Sequence, residues 1–416
     1  MPLRGYQQEA VDRLFEYWKK SSRPCVIQAA TGFGKSHVIA EIVQKVQTPT
    51  LVLQPTKEIL EQNYDKLLKA GVPRGDIRIC SASAGSWRIG KITLATIGTI
   101  GKWSEYCQHF KVIIIDESDV VPNDRADSMY MRFLNSLPPK TKIVGLTATP
   151  WRNQSFKALY EDPKVFCRPV TRIHCNGGKG TWLGEWVWNK VIYRCGIAAL
   201  QKQGFLAPTQ YFMAETDWSF VNDVPGRVDF EMEQMTKWMD IEANSSRFSQ
   251  AVDWCMQNNL KTIVFTPNID MNFRLANIIN AMGGKAECMD SDHDDKKTRE
   301  RKMERFRKGD FNFLVNVGMV GRGVDVPSVD AVLLCRPTKS LSFYTQAVGR
   351  CLRIDPENPD KTAYILDLAG NVDRFGKVED VELARQKQVA PNGYEYYKDV
   401  ITVVKNGKRK VWDRVS

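Results

Sequence analysis

A chain of 416 residues exceeds what one ordinary core organises and suits two or three domains of roughly 100–200 residues each. Its hydrophobic content of 43% is ample for burial, and 59 Lys and Arg against 48 Asp and Glu leave a formal charge of +11, which favours a polyanionic partner through phosphate contacts and counterion release. No run reaches the roughly 18–20 apolar residues that span a membrane, no secretory leader pattern precedes Arg4, and the ten cysteines form no Cys-x-x-Cys pair, so a membrane role has no support and a reducing cytoplasm is expected.

In chain order, short β-rich apolar runs at Cys25 to Gln28, Thr50 to Leu53, Ile77 to Cys80, Ile92 to Ala95, Val112 to Ile115 and Ile143 to Leu146 alternate with helical patterns. That rhythm predicts a parallel sheet covered by helices over residues 1–150. The first run leads into Ala29-Ala30-Thr31-Gly32-Phe33-Gly34-Lys35-Ser36, which opens a helix. A strand followed by such a loop and a helix N-terminus cradles a nucleoside triphosphate in backbone N–H groups from Thr31, Gly32, Phe33 and Gly34. Lys35 then reaches the β and γ oxygens and the Ser36 hydroxyl ligates Mg²⁺. Ala29 stands where the strict phosphate-loop pattern has its first Gly.

The fifth run ends in Asp116-Glu117-Ser118-Asp119, which places carboxylates at the carboxyl end of a buried strand, where α/β sheets bind ligands. Asp116 is expected to hold the metal through water and Glu117 to orient or deprotonate the attacking water. Thr147-Ala148-Thr149 follows the sixth run as a coupling segment.

Residues 151–240 depart from the rhythm and read as an insertion and connector, aromatic and basic, with a loop signal at Asn176-Gly177-Gly178-Lys179-Gly180. Trp182, Trp186 and Trp188 can stack on bases, but core packing is the preferred reading. Cys167, His174, Cys175 and Cys195 lack the tight pair of a zinc site.

A second series, Thr262 to Phe265, Ala286 to Met289, Phe311 to Val315, Ala331 to Cys335 and Ala363 to Leu366, predicts another α/β domain over residues 241–385. Lys296 to Lys308 reads as a solvated amphipathic helix. Phosphoryl transfer needs positive charge on the γ-phosphate, and the spacing of Arg350 and Arg353 suits two arginines facing one cleft from a helix. Residues 386–416 form a basic extension, read as a small hairpin or ordered tail.

These segments, in this order, resemble the superfamily 2 DExD/H-box helicases from Leu3 to about Asn371. Within that superfamily the start Leu3-Arg4-Gly5-Tyr6-Gln7-Gln8 and the ending Ile365-Leu366-Asp367-Leu368-Ala369-Gly370-Asn371 are most similar to the RadD-like DNA helicases. Asp119 gives a DExD rather than a DExH form, and Cys351 replaces a common Gly. The resemblance implies two tandem RecA-like domains, with ATP and Mg²⁺ as cofactors. It implies that Gln7 reads the adenine edge with Arg4 packed nearby, and that Gly323 and Asp325 touch the nucleotide. Gln346, Arg350 and Arg353 belong to the segment Gln346 to Arg353 that acts with Lys35, Asp116 and Glu117 in catalysis. Strand contacts are implied for Pro55, Thr56 and Lys57, for Thr96, Gly98 and Thr99, and for Thr266, Asn268 and Asn316, with Thr147 and Thr149 as the relay. The expected partner is DNA, single-stranded or branched, with protein partners in replication or recombination. RNA unwinding is the first alternative, because phosphate contacts do not distinguish sugars; an ATP-gated clamp that recruits a partner without unwinding is the second.

Overall fold

The computed structural model describes residues 2–121, 128–152, 164–165, 188, 190–214, 229–290, 292–317, 329–389, 395–405 and 408–411. The chain divides into two compact units, the first comprising Met1–Arg152, Val165–Gly196 and Lys387–Asp399 and the second Asn153–Lys164, Ile197–Gln386 and Val400–Ser416.

The first unit opens with α1 (Gly5–Lys20), whose Tyr6, Ala10, Val11, Leu14 and Trp18 form the buried stripe expected of an amphipathic helix. There follow β1 (Cys25–Ala29), α2 (Lys35–Val46), β2 (Thr50–Gln54), α3 (Lys57–Lys69), β3 (Ile77–Ser81), β4 (Ser86–Trp87) and β5 (Ile92–Thr96). Next come α4 (Ile97–Ile100), β6 (Val112–Asp116), α5 (Met129–Ser136), β7 (Lys142–Thr147), the two-residue strands β8 (Trp151–Arg152) and β9 (Lys164–Val165), and β10 (Lys190–Cys195). The main sheet has the order β10-β1-β7-β6-β2-β5-β3-β4. Every pairing in it is parallel except β3 with β4. Strands β1, β2 and β6 are buried along their whole length, as a sheet covered on both faces requires, and this explains their continuous apolar runs.

The second unit contains α6 (Ile197–Lys202), β11 (Thr209–Met213), α7 (Met232–Thr236), α8 (Glu242–Gln257), β12 (Thr262–Phe265), α9 (Ile269–Ala281), β13 (Ala286–Met289), α10 (Lys296–Lys308), β14 (Phe313–Asn316) and β15 (Ala331–Leu334). It continues through α11 (Leu341–Val348), β16 (Ala363–Asp367) and α12 (Asn371–Phe375). Its sheet runs β11-β16-β15-β12-β14-β13, parallel throughout. One face of the sheet packs Val264, Phe313, Val315 and Leu333 against Phe248 and Val252 of α8 and Leu275 and Ile279 of α9. Strands β17 (Glu382–Val389), β18 (Glu395–Lys405) and β19 (Lys408–Val411) form a separate sheet in that order, and β18 and β19 are the antiparallel hairpin expected near the basic end.

Two segments of residues 151–240, read as insertion and connector, pair with the main sheets. Lys190–Cys195 joins the first sheet beside β1, and Thr209–Met213 joins the second beside β16. Lys190–Cys195 has only a short run of β-branched and aromatic residues among charges, and Thr209–Met213 sets polar Thr209 and Gln210 before Tyr211, Phe212 and Met213. An edge position, half exposed as in β11, tolerates that composition. No helix among the described residues is long and apolar enough to cross a membrane.

Candidate functional site: a nucleotide pocket and a strand track on one sheet edge

In the first sheet β7 lies between β1 and β6. The carboxyl ends of these three neighbours carry the phosphate loop, Asp116-Glu117 and Thr147-Ala148-Thr149, so three segments distant in sequence become adjacent. Gly32 and Gly34 both have φ of 85°, a left-handed conformation that a side chain disfavours. A Cβ on Gly34 would stand 2.5 Å from Gln7 Nε2. The loop is therefore shaped for close approach, with α2 beginning at Lys35 and its N-terminal amides facing the position of an anion.

Lys35 Nζ pairs with Glu117 Oε1 at 2.6 Å, with both side chains mostly buried. Burial works to lower the Lys35 pKa, but the carboxylates of Glu117, Asp116 and Asp119 outweigh it and hold the ammonium charged beyond its ordinary range. Glu117 itself has a φ of 50°, an uncommon value for a residue with a Cβ. This backbone turn lets successive residues send Asp116 and Glu117 in different directions from the strand end.

Asp116 is 3% exposed. Burial raises its pKa above the usual carboxylate range, opposed by Lys35 and by the Asn63 amide. Asn63 Nδ2 donates to Asp116 Oδ2 at 2.9 Å, and the Glu117 N–H donates to Asp116 Oδ1 at 3.0 Å. Asn63 is a residue that motif reading missed. Its signal is local: it interrupts the buried stripe of α3 formed by Ile59, Leu60 and Leu67, and a buried amide needs a polar partner.

A second chain of bonds joins the acidic segment to the coupling segment. Thr147 Oγ1 donates to Asp119 Oδ1 at 3.1 Å and accepts from the Thr149 N–H at 3.1 Å. Thr147 and Thr149 are fully buried and Asp119 is nearly so. Gly145 of β7 makes room beneath them: a Cβ there would meet Ser118 Oγ at 2.5 Å and the Trp188 ring at 2.7 Å. Trp188 is thus a core residue, as preferred from the sequence.

Gln7, expected to read the adenine edge, makes two bonds within the unit. Its Nε2 donates to the Phe33 carbonyl at 2.8 Å and so braces the phosphate loop, while its Oε1 accepts from the Arg4 N–H at 2.9 Å and caps the start of α1. Arg4 Nη1 donates to the Tyr6 hydroxyl at 3.1 Å. Thr31, Lys35 and Ser36 are partly exposed, and Phe33 is buried against Tyr6 at a ring separation of 4.9 Å. His37, next to Ser36, is held neutral by burial and by Lys66 and Arg4; Lys66 Nζ lies 3.4 Å from its Nε2.

The other half of the same sheet edge holds the expected strand contacts. Pro55, Thr56 and Lys57 follow β2, while Thr96 ends its neighbour β5 and Gly98 and Thr99 follow it. Gly98 is exposed, while Thr99 is buried and accepts from the Ala82 N–H at 2.8 Å. Thr56 caps α3 by accepting from the Ile59 N–H.

In the second unit, three expected strand contacts turn inward. Thr266 and Asn316 are fully buried. Thr266 Oγ1 donates to Asn272 Oδ1 at 2.8 Å and Asn316 Nδ2 donates to the Val264 carbonyl at 3.0 Å. Asn268 caps α9 by accepting from the Met271 N–H at 2.9 Å. Their amides and hydroxyl satisfy strand ends and a helix start. Arg350 and Arg353 also differ from expectation, because α11 ends at Val348 and neither lies on it. Arg353 forms an antiparallel bridge with Leu206, beside the bond from the Ala207 N–H to the Leu352 carbonyl. Gln346 is on α11 and buried, as is Arg350. Gly323, Asp325 and the zinc candidates Cys167, His174 and Cys175 lie outside the described residues. Cys195 is buried, and no metal-ligating cluster occurs among the described residues.

The donor set fits a triphosphate with Mg²⁺: a left-handed glycine loop, a charged lysine, a hydroxyl at the first turn of α2 and a buried carboxylate at the next strand end but one. Fold and site together define a phosphate-loop nucleotide-binding protein built from two RecA-like units. Residues 1–152 match the family model "Type III restriction enzyme, res subunit", and residues 245–355 match "Helicase conserved C-terminal domain". A putative mitochondrial ATP-dependent helicase, irc3, of Schizosaccharomyces pombe is 24% identical over 92% of this chain and 60% of its own length. The DNA 3'-5' translocase XPB2 of Sulfurisphaera tokodaii is 23% identical over 88% of this chain and 81% of its own. Among solved structures, a fragment of a putative HsdR subunit of a type I restriction enzyme from Vibrio vulnificus superposes with a TM-score of 0.62 at 19% identity, covering 90% of this chain and 66% of that one. The chain belongs to the superfamily 2 DExD/H helicases. It spans 60% of the length of the fission-yeast relative.

Proposed function

We propose that the chain is an ATP-dependent DNA helicase or translocase that couples hydrolysis to unwinding or remodelling of branched DNA in replication, recombination or repair. The observation that carries this reading is the bond sequence from Thr149 through Thr147 to Asp119, two residues from Glu117. A change at the γ-phosphate is thereby transmitted to the end of β7, on the sheet edge that also holds Thr56 and Thr96. The net charge of +11 and the name of the archaeal translocase favour a nucleic acid, and DNA in particular. Placement within the RadD-like group rests on the Arg4 to Gln7 start and the Ile365 to Asn371 ending.

Lys35 has two roles in this scheme. It pairs with Glu117, and it is the residue that would hold the β and γ phosphate oxygens, with Glu117 left to orient water. Ser36 and Asp116 would hold Mg²⁺, which supplies charge neutralisation on the phosphate oxygens when bound. Asn63 keeps the Asp116 carboxylate aimed, and Gln7 keeps the loop in place. Arg350 and Arg353 are assigned to the γ-phosphate charge.

The test is hydrolysis and strand displacement measured side by side on single strands, forks, four-way junctions and RNA duplexes. Stimulation and displacement on DNA are expected. Stimulation by RNA alone would assign the chain to RNA, and hydrolysis on DNA without displacement of any strand would make it a clamp.

A further inference from the structure

The large hydrophobic side chains exposed in the described part of the first unit are Trp87, Trp103, Tyr106 and Met129, at 57%, 40%, 63% and 40% exposure. Three of them, Trp103, Tyr106 and Met129, gather at one turn. Trp103 and Tyr106 lie on the turn Gly101–Cys107 immediately after α4, their ring centroids 5.6 Å apart. Met129 rests on the same turn, since a Cβ on Gly101 would stand 3.0 Å from Met129 Cγ. Trp87 sits on the edge strand β4 opposite Cys80. Opposed residues of an antiparallel pair share a sheet face, so Trp87 lies on the face of the sheet that carries Cys80.

Hydrogen bonds tie the turn between β3 and β4 to the segment Thr96 to Thr99. The Ala82 N–H donates to Thr99 Oγ1 at 2.8 Å, Thr96 Oγ1 donates to Ser81 Oγ at 3.2 Å, and Ser86 Oγ donates to the Ile79 carbonyl at 2.7 Å. In sheet order the strand ends β2, β5 and β3 follow one another, so Thr56, Thr96 and the exposed Ala82-Ser83 turn form a row that ends at Trp87 and Arg88. Lys102 and Arg88, both exposed, stand beside the rings in sequence. Exposed Glu105 lies between Trp103 and Tyr106 in sequence, and exposed aromatic faces beside backbone-binding groups and cations hold unstacked bases without sequence preference.

We propose that Trp87, Trp103 and Tyr106 form a base-stacking platform for single-stranded nucleic acid at the outer end of the track on the first unit. This rests on the strand contacts assigned above to Thr96 and Gly98. The chemistry recognised is the nucleobase face with its flanking phosphate, supplied by DNA or RNA.

The experiment measures binding of fluorescein-labelled dT20 and rU20 by anisotropy to the full chain and to Trp87→Ala, Trp87→Phe, Trp103→Ala with Tyr106→Ala, and Gly98→Asp. Thermal melting of each variant checks folding. Stacking predicts about tenfold weaker binding for each alanine form and near-normal binding for Trp87→Phe, on one or both oligonucleotides. Phe binding as poorly as Ala would overturn the proposal. So would unchanged affinity in the alanine forms while Gly98→Asp weakens it, an outcome that leaves the strand track standing. A wild-type chain that binds neither oligonucleotide sinks the track and the platform together.

Discussion

The ion pair between Lys35 and Glu117 sets the chemistry at the residue scale. Removing one partner of a largely buried pair leaves an uncompensated charge, so Lys35→Ala changes both the phosphate contact and the state of Glu117. Glu117→Gln is the cleaner substitution, because the amide oxygen can still accept from Lys35 while its capacity to take a proton is gone. It is expected to bind ATP and to lower turnover by about 10²–10⁴-fold, the usual worth of a positioned base. Single-turnover hydrolysis with a separate nucleotide-binding measurement checks it, and wild-type turnover would remove Glu117 from the assigned role. Much of this pocket was legible in the sequence, because Gly32, Gly34, Lys35 and Asp116 follow apolar runs that can only be buried strands. Asn63 was not: its partner is 53 residues away, and only the break it makes in the apolar stripe of α3 marks it. The internal use of Gln7, Thr266 and Asn316 was also hidden, since a polar residue at a strand end serves a ligand or the backbone equally well until its partners are seen.

At the scale of elements, the end of β7 and the end of β16 make separate predictions. Thr147→Val keeps the volume and removes both bonds, to Asp119 and from the Thr149 N–H. Hydrolysis is expected within a few-fold of wild type and strand displacement is expected to be lost; equal loss of both would mean that Thr147 serves the pocket rather than the relay. Asp367, at the end of β16, is buried and accepts from the backbone N–H groups of Val372 and Ala369. Burial outweighs those bonds and raises its pKa to about 6 from 3.8. Between these values the folded state keeps a proton that the unfolded state has released, so stability falls as pH rises through the window and the full cost, about 3 kcal/mol, is present above it. Asp367→Asn has no such titration. The stability of the wild type relative to this variant is therefore expected to drop by up to that amount from pH 4 to pH 7, in urea unfolding followed at both values; a constant difference would refute the assignment. The elements themselves were readable where they were long apolar runs, as in β6. Strands β10 and β11 were not, because edge strands need neither continuous hydrophobicity nor strict alternation.

Across the whole molecule, the phosphate loop and the carboxylates belong to the first unit, and the two arginines proposed to meet the γ-phosphate belong to the second. The helix expected to present Arg350 and Arg353 ends earlier, and the chain instead runs into the bridge between Leu206 and Arg353. That bridge is made by backbone atoms, so it survives truncation of the side chain. Arg353→Ala is thus expected to keep the melting behaviour of the wild type. If the side chain meets charge that develops on the γ-phosphate, its loss falls on kcat, by roughly 10³–10⁵ for a finger residue, with a much smaller change in the nucleotide dissociation constant. Arg353→Lys restores charge without the planar fork and should recover only part of the rate. A loss confined to nucleotide affinity, or recovery of the full rate by lysine, would show that Arg353 contributes general positive charge and not an oriented contact. Normal kinetics in both forms would leave Arg350 to supply that charge alone.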